Sequence, residues 1–127
     1  MSRAPDIAGG APLLTIRRRA DFLAARRAPQ TGVPGFLLQA RDRQDDDPAI
    51  RVGFTVTKKL GGAVTRNRIK RRLRAAAAAM LPLYATPGRD YVLVARPAAF
   101  HRPYAALLDD LKRALLRLRA TKDAGSR

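Results

Sequence analysis

The chain has 127 residues, of which 26 are basic and 10 acidic, and its net charge is +16. This length is enough for one domain with a modest hydrophobic core. The charge is typical of proteins that bind nucleic acids. Cysteine is absent, which excludes a disulfide framework, a thiolate metal site and a cysteine nucleophile, and favours a cytoplasmic location. No apolar run approaches the roughly 20 residues of a membrane span, so we expect no membrane partner.

The first thirty residues are predicted to hold a tail and a short helix. Residues 1–13 are small, polar and rich in glycine and proline, and we expect a disordered tail there. Thr15 is a candidate N-cap for a helix from Ile16 to Arg27, and Pro29 would end it. One face of this helix would carry Ile16, Ala20, Leu23 and Arg27, with Phe22 beside it.

Three segments have the pattern of β-strands. Phe36–Arg41 alternates between two faces, and Arg51–Thr57 does so more clearly, with Val52, Phe54 and Val56 on one face. We expect these two strands to form an antiparallel pair joined by the acidic loop between them. Tyr91–Ala95 is almost wholly apolar, which predicts a strand covered on both faces.

A long basic helix is predicted between the second and third strands. It begins near Ala63 or Val64 and should end close to Leu81, because Pro82 disfavours helical geometry in the residue before it. Its apolar residues recur at intervals of three and four and form one stripe. The stripe comprises Ile69, Leu73, Ala76, Ala77 and Met80.

A last helix is predicted from Tyr104 to Arg119, followed by a frayed tail at residues 120–127. Asp109 stands four residues before Arg113, a spacing that favours an ion pair. The core stripe of this last helix comprises Tyr104, Leu107, Leu108, Leu111, Leu115 and Leu118. The order of elements therefore predicts a single α+β domain over residues 14–119, with one sheet and helices packed on it.

The segment 58–74, KKLGGAVTRNRIKRRLR, contains eight basic residues and no acidic one. Like charges three and four positions apart on a helix repel each other, and a polyanion would neutralise them. On a helical projection the cations divide between two flanks of the apolar stripe. Arg66, Lys70 and Arg74 lie on one flank with Asn67 nearby, Arg68 and Arg72 lie on the other, and Arg71 points outward. A solubilising surface normally mixes charges of both signs, so we favour nucleic-acid binding.

The residues needed for protein-only catalysis are missing. The single histidine, His101, stands beside a helix start, and a structural role is the simpler interpretation. Asp45, Asp46 and Asp47 are consecutive in a loop, which is typical of a solvated turn, and the remaining aspartates are dispersed. Neither a phosphate-binding glycine motif nor a zinc-ligand set is present. We therefore predict no catalytic and no metal-binding residue in the chain.

The segment 58–74 resembles the signature of the bacterial ribonuclease P protein subunit, KK-[IL]-G-x-A-V-x-R-N-R-x-K-R-x-x-R, the RNR motif. The segments ADFLAARR, RVGFTVTKK and DYVLVARP also resemble the first helix and two strands of that family. Together they extend the resemblance from Leu14 to Leu118.

The resemblance implies an αβββαβα fold with a four-stranded sheet and a left-handed βαβ crossover, against the usual right-handed preference. It also implies that a large RNA subunit, with Mg²⁺, hydrolyses the bond that frees the 5′ end of tRNA. The protein would bind that RNA and hold the 5′ leader of precursor tRNA in a cleft between the first helix and the sheet. No obligate protein partner is expected.

We use the resemblance and the two flanks of the basic helix to assign residues to the two RNA-binding sites. We assign Phe22, Arg26, Gln39, Arg66, Asn67, Lys70 and Arg74 to the leader, and Lys58, Lys59, Arg68, Arg71 and Arg72 to the RNA subunit. Family members often have aromatic residues at the first three positions, but here only Phe22 is aromatic. Ala75 also stands where an acidic residue is common, so any ion pair made there is lost.

Two other classes of protein fit part of the pattern. A ribosomal protein or assembly factor would have the same charge but would not need the full RNR spacing. A DNA-architectural protein is disfavoured because no DNA-docking motif is recognisable. Sequencing the RNA that copurifies with the chain would discriminate between these two classes and a ribonuclease P protein.

Overall fold

A computed structural model describes the backbone of residues 11–125 and the side chains up to residue 119. Within this range there are five strands and three α-helices. In chain order they are β1 (Leu13–Thr15), α1 (Arg19–Ala25), β2 (Gln30–Val33), β3 (Phe36–Asp42), β4 (Ile50–Thr55), α2 (Ala63–Tyr84), β5 (Arg89–Ala95) and α3 (Tyr104–Gly125). Short 3-10 helices at Lys58–Leu60 and Pro97–Phe100 precede α2 and α3. No helix among the described residues has the length and apolar character needed to cross a membrane.

The strands form one mixed sheet in the order β1-β4-β5-β3-β2. β1, β4 and β5 are parallel to one another, whereas β3 is antiparallel to both β5 and β2. The α+β class is confirmed, but the expected count of four strands is wrong, because this sheet has five. The left-handed sense of the β4-α2-β5 crossover stays a prediction.

Part of the predicted N-terminal tail belongs to the sheet. Ala11 is buried, Leu13 pairs with Ile50, and the backbone N–H of Ile50 donates to the carbonyl of Pro12 at 2.8 Å. The rest of the predicted tail, residues 1–10, lies outside the described residues. At the other end, α3 continues to Gly125 rather than ending at Arg119. The side chains of the predicted C-terminal tail lie outside the described part.

The predicted antiparallel pairing of β3 with β4 is wrong, because β5 lies between them. Leu93 of β5 is opposite Leu38 on one side and Phe54 on the other. The apolar β5 is the strand that gains most from burial on both faces, so the central position suits it. Its residues Tyr91, Val92 and Leu93 are indeed buried, as predicted from their composition.

The first helix is shorter than predicted. Thr15 lies in β1, and the N–H of Ile16 donates to the carbonyl of Val52 at 2.9 Å, so the chain stays extended to this point. Leu23, expected on the packed face, is 42% exposed. α1 instead packs through Ala25, which is buried, and Phe22, which is half-buried.

The two faces of the sheet have different coverings. α2 and α3 pack on one face and share the main core with alternating residues of β3, β4 and β5. The predicted residues of both helical stripes supply most of the helical part of that core, although Tyr104 is exposed. Among the described elements, only α1 packs on the opposite face, around Ile16 and Val92.

The end of α2 also differs from the prediction. The helix continues through Pro82 to Tyr84, and the N–H of Ala85 donates to the carbonyl of Leu81 at 3.0 Å. Leu81 and Ala85 are both buried in the core. Their burial holds the last turn in place despite the proline.

Candidate nucleic-acid interface

An open cleft of about 650 Å³ lies between α1 and the sheet face that α2 and α3 leave uncovered. One wall consists of α1 and the residues on either side of it, and it carries Arg17, Arg19, Phe22, Leu23 and Arg26. Its floor is formed by Leu37, Gln39, Val92 and Val94, and Thr55 and Thr57 lie at the end of β4. The cleft therefore combines an apolar floor with three arginines along one wall.

Phe22 reaches the floor of the cleft because β4 has a glycine beneath its ring. A Cβ atom added to Gly53 would lie 2.5 and 2.6 Å from Cε1 and Cζ of Phe22, much closer than such atoms approach in proteins. Phe22 is only half-buried, so part of its ring faces the cleft. The alternation of β4 predicts that Gly53 faces away from the main core, but the sequence does not indicate that Phe22 packs against it.

Gln39 places a polar group in the floor. Its side chain is 5% exposed, and Nε2 donates to Oε1 of Gln30 at 3.2 Å. Its own Oε1 has no hydrogen-bond partner. A buried amide oxygen without a partner is unfavourable, which makes this atom a candidate acceptor for a bound ligand.

A cluster of charges centred on Asp90 holds α1 against the sheet. Asp90 is fully buried and accepts hydrogen bonds from Nε and Nη2 of Arg51, both at 2.7 Å, and from Nη1 of Arg43 at 2.9 Å. Arg41 and Arg51 also contact Asp21 of α1, at 3.2 and 3.4 Å. The hydrogen bond that Arg51 donates to Asp90 raises the pKa of Arg51 above its ordinary value. The cluster fixes the wall of the cleft.

Sequence reasoning missed this cluster and treated Asp90 as one of several dispersed acids. The only local signal is an aspartate at the start of an apolar strand, two residues from Val92 and on the same face. Arg41 and Arg51 become its neighbours because β5 pairs with both β3 and β4. That strand order was not predicted.

One flank of α2 faces the β1–β4 edge of the sheet. The guanidinium of Arg74 lies 5.9 Å from the ring centroid of Phe54 and borders a groove of about 360 Å³ there. Arg66 donates from Nε to the carbonyl of Gly61 at 3.1 Å. Asn67 is exposed and Lys70 is half-buried. Neither these two residues nor Arg66 and Arg74 line the cleft, whereas Phe22, Arg26 and Gln39 are brought together in it.

The other flank contacts the Pro97–Phe100 helix, which we call the 97–100 turn. Arg68 donates from Nε to the carbonyl of Phe100 at 2.9 Å, and Arg72 donates to the carbonyls of Ala99, at 3.0 Å, and Arg102. Arg68 and Arg72 thus lie on the opposite flank of α2 from Arg74, whereas the assignment of the two flanks to the leader and the RNA subunit stays a prediction. Lys58, Lys59 and Arg71, the remaining residues assigned to the RNA subunit, are exposed.

A glycine sets the direction in which α2 begins. Gly61 follows the Lys58–Leu60 helix with φ of 134°, a conformation that side chains strongly disfavour. Gly62 then returns to an extended conformation and precedes Ala63 without a side-chain cap. The two exposed lysines are therefore held close to the first turn of the basic helix.

Comparisons with known proteins agree with this architecture. A family model described as Ribonuclease P matches residues 12–119. The chain belongs to the ribonuclease P protein family. The ribonuclease P protein component of Caulobacter vibrioides is 54% identical over 110 residues, which are 87% of this chain and 74% of that protein. The component of Ruegeria pomeroyi is 48% identical over 124 residues, 96% of this chain and 99% of that one.

Two solved structures have the same fold. A Staphylococcus aureus RNase P protein mutant with defective mRNA degradation activity matches with a TM-score of 0.70 and 25% identity, over 83% of this chain and 87% of that one. The RNase P protein from Thermotoga maritima matches with a TM-score of 0.68 and 24% identity, over 81% and 96% of the two chains. Ribonuclease P family membership thus accounts for both the RNR segment and the architecture.

Proposed function

We propose that this ribonuclease P protein binds the RNA subunit of the enzyme and the 5′ leader of precursor tRNA, and so supports maturation of the tRNA 5′ end. The observation that carries the proposal is the cleft beside α1. It offers a ring for base stacking at Phe22, an unpaired acceptor at Gln39 and a cation for phosphate at Arg26. An unpaired leader has both the bases and the phosphates that these groups bind.

The cations of the basic segment serve two RNA surfaces in this proposal. Arg66, Asn67, Lys70 and Arg74 extend leader binding beyond the cleft, along the β1–β4 edge. Lys58, Lys59, Arg68, Arg71 and Arg72 bind the RNA subunit. None of the first group lines the cleft, so its members would contact leader nucleotides that lie outside it. Nε of Arg68 is engaged by the 97–100 turn, which fixes the direction of its terminal nitrogens, and Arg72 is held there through both Nε and Nη2.

The protein contributes binding and orientation, and the RNA subunit with Mg²⁺ carries out the hydrolysis. Among the described residues no three histidine or acidic side chains come together as metal ligands. His101, the only imidazole in the chain, is exposed next to the 97–100 turn and does not line the cleft. Protein free of RNA should therefore leave precursor tRNA uncut in Mg²⁺, and cleavage by such a preparation would contradict this division of labour.

Leader binding is tested with the reconstituted enzyme, made from this protein and transcribed RNA subunit. Phe22→Ala should weaken binding of precursor tRNA by about fivefold or more and leave binding of mature tRNA nearly unchanged, because only the precursor has a leader. Leu83→Ala is the matched control, since Leu83 is an apolar side chain 63% exposed near the end of α2. Equal effects of Phe22→Ala on both tRNAs would exclude the cleft as the leader site.

A further inference from the structure

The guanidinium of Arg68 is held over an aromatic ring. Its central carbon lies 4.8 Å from the ring centroid of Phe100, and its Nε donates to the carbonyl oxygen of the same residue at 2.9 Å. Phe100 is nevertheless 37% exposed, and Arg68 is exposed as well. The pair therefore forms a layered group at the surface, with the cation above the ring.

The ring is itself held in place by both long helices. Arg72, one turn after Arg68 on α2, donates from Nε to the carbonyl of Ala99 and from Nη2 to the carbonyl of Arg102. Arg102 in turn donates to both oxygens of Asp110, at 2.5 and 3.1 Å. Asp110 is buried on α3, and the hydrogen bond to it raises the pKa of Arg102. The 97–100 turn is thus fixed to α2 and α3.

A phosphate does not require such an arrangement. A mobile lysine or arginine neutralises a phosphate as a charge, whereas a planar guanidinium with a fixed orientation also offers a flat face. Unpaired RNA bases stack on aromatic rings and on arginine planes of this kind. A second aromatic ring is close by, since the ring of His101 lies edge-on to Phe100 with the two centroids 6.4 Å apart.

We infer that Arg68 is a stacking platform for an unpaired base of the RNA subunit, and that Phe100 is the residue that positions it. The inference rests on the proposed function, because it takes the RNA subunit as the partner. It gives Arg68 a role different from that of Lys58 and Lys59, which act on phosphates through their charge. In addition to its proposed contact with the RNA subunit, Arg72 fixes the turn that carries the ring.

The test compares variants that keep the charge but remove the stack. Arg68→Lys should weaken binding of transcribed RNA subunit by about fivefold or more, because the ammonium cannot stack. The slope of log K against log salt should stay the same, because the number of cations is unchanged. Arg113→Lys is the matched control, because Arg113 is exposed on α3, where it pairs with Asp109 at 2.8 Å and with Asp110 at 3.4 Å, and lysine keeps the charge beside both carboxylates. It should bind within about twofold of the unaltered protein.

Phe100→Leu tests the positioning role. It should cause a loss similar to that of Arg68→Lys, and the double variant should lose little more than either single variant, because both changes remove the same stack. Chemical probing of the bound RNA subunit should reveal an unpaired nucleotide that the unaltered protein and Arg113→Lys protect. That protection should be lost with Arg68→Lys.

Three results would overturn the inference. In the first, Arg68→Lys binds as well as the unaltered protein, and Arg68→Ala makes the slope of log K against log salt shallower by about one. Arg68 would then be an ordinary phosphate ligand. A lower melting temperature for Arg68→Lys with unchanged affinity and protection would make the Arg68–Phe100 contact purely structural. In the third, the unaltered protein itself fails to bind the RNA subunit, which would refute the proposed function as well. Measuring the unaltered protein therefore distinguishes failure of the proposed function from failure of the stacking inference alone.

Discussion

Replacing Gly53 by alanine should move Phe22 without unfolding the protein. The new Cβ would lie 2.5–2.6 Å from two ring carbons, so the ring must shift by roughly 1 Å to reach ordinary contact distance. Ala25 and the Asp90 cluster hold α1 itself, but the half-buried ring can pivot toward the cleft. Overpacking costs about 1–3 kcal/mol, and the better strand propensity of alanine offsets about 0.5–1 kcal/mol. We expect a net loss of stability of about 0–2.5 kcal/mol.

The functional effect of Gly53→Ala should be larger than its effect on stability suggests. Base–aromatic stacking contributes about 1–3 kcal/mol, so misplacing the ring should lower the preference of the reconstituted enzyme for precursor over mature tRNA by at least about fivefold. The assay is competitive binding of the two tRNAs, with urea unfolding of each variant in parallel. Mature tRNA binding serves as the internal control, because it does not use the leader cleft.

A double-variant comparison separates ring displacement from a general effect of the alanine. Phe22→Leu removes the ring atoms that the new Cβ would meet. Gly53→Ala combined with Phe22→Leu should therefore discriminate as Phe22→Leu does alone. The reasoning would be refuted by a Gly53→Ala protein with full discrimination, or by losses that simply add in the double variant.

Three further predictions concern the charged groups. Asp90→Ala should destabilise the fold by about 3 kcal/mol in urea unfolding, because it leaves Arg51 and Arg43 without their buried partner; a loss below about 1 kcal/mol would mean that the cluster does not hold α1. If about six to eight cations of the basic segment contact phosphates, log K for the RNA subunit should fall with log salt at a slope of roughly −4 to −7, and a slope shallower than about −2 would exclude this segment as the main contact. Lys70→Ala with Arg74→Ala should weaken binding of precursor more than of mature tRNA, whereas Arg68→Ala with Arg72→Ala should weaken assembly with the RNA subunit. The same profile for both pairs would indicate one undivided surface.

The periodic parts of this structure were predictable from the sequence. The alternation of β3 and β4 and the stripes of α2 and α3 depend on residues close together in the chain, and the predicted faces of these elements are confirmed. The RNR spacing identified the family, and the resemblance placed Phe22, Arg26 and Gln39 in one cleft, where the structure also places them.

The features that depend on neighbours distant in sequence were not predictable. Nothing local to β3 or β4 indicates that β5 separates them, so the Asp90 cluster, which uses both neighbours of β5, was missed. The contacts of Arg68 and Arg72 with the 97–100 turn span 32 and 27 residues along the chain and escaped detection for the same reason. β1 is three residues long, too short for a period to show.

The central position of β5 has a consequence for the order of folding. β1 with β4, and β2 with β3, are two separate pieces of sheet, and only β5 joins them. During synthesis the sheet therefore cannot close until residue 95 has left the ribosome, after the whole of the basic helix. Until then the nascent chain exposes unpaired strand edges and a dense run of cations at the same time, a state prone to misassociation. RNA that bound the basic helix at this stage would neutralise its cations, and the protein would then complete its folding while bound to RNA.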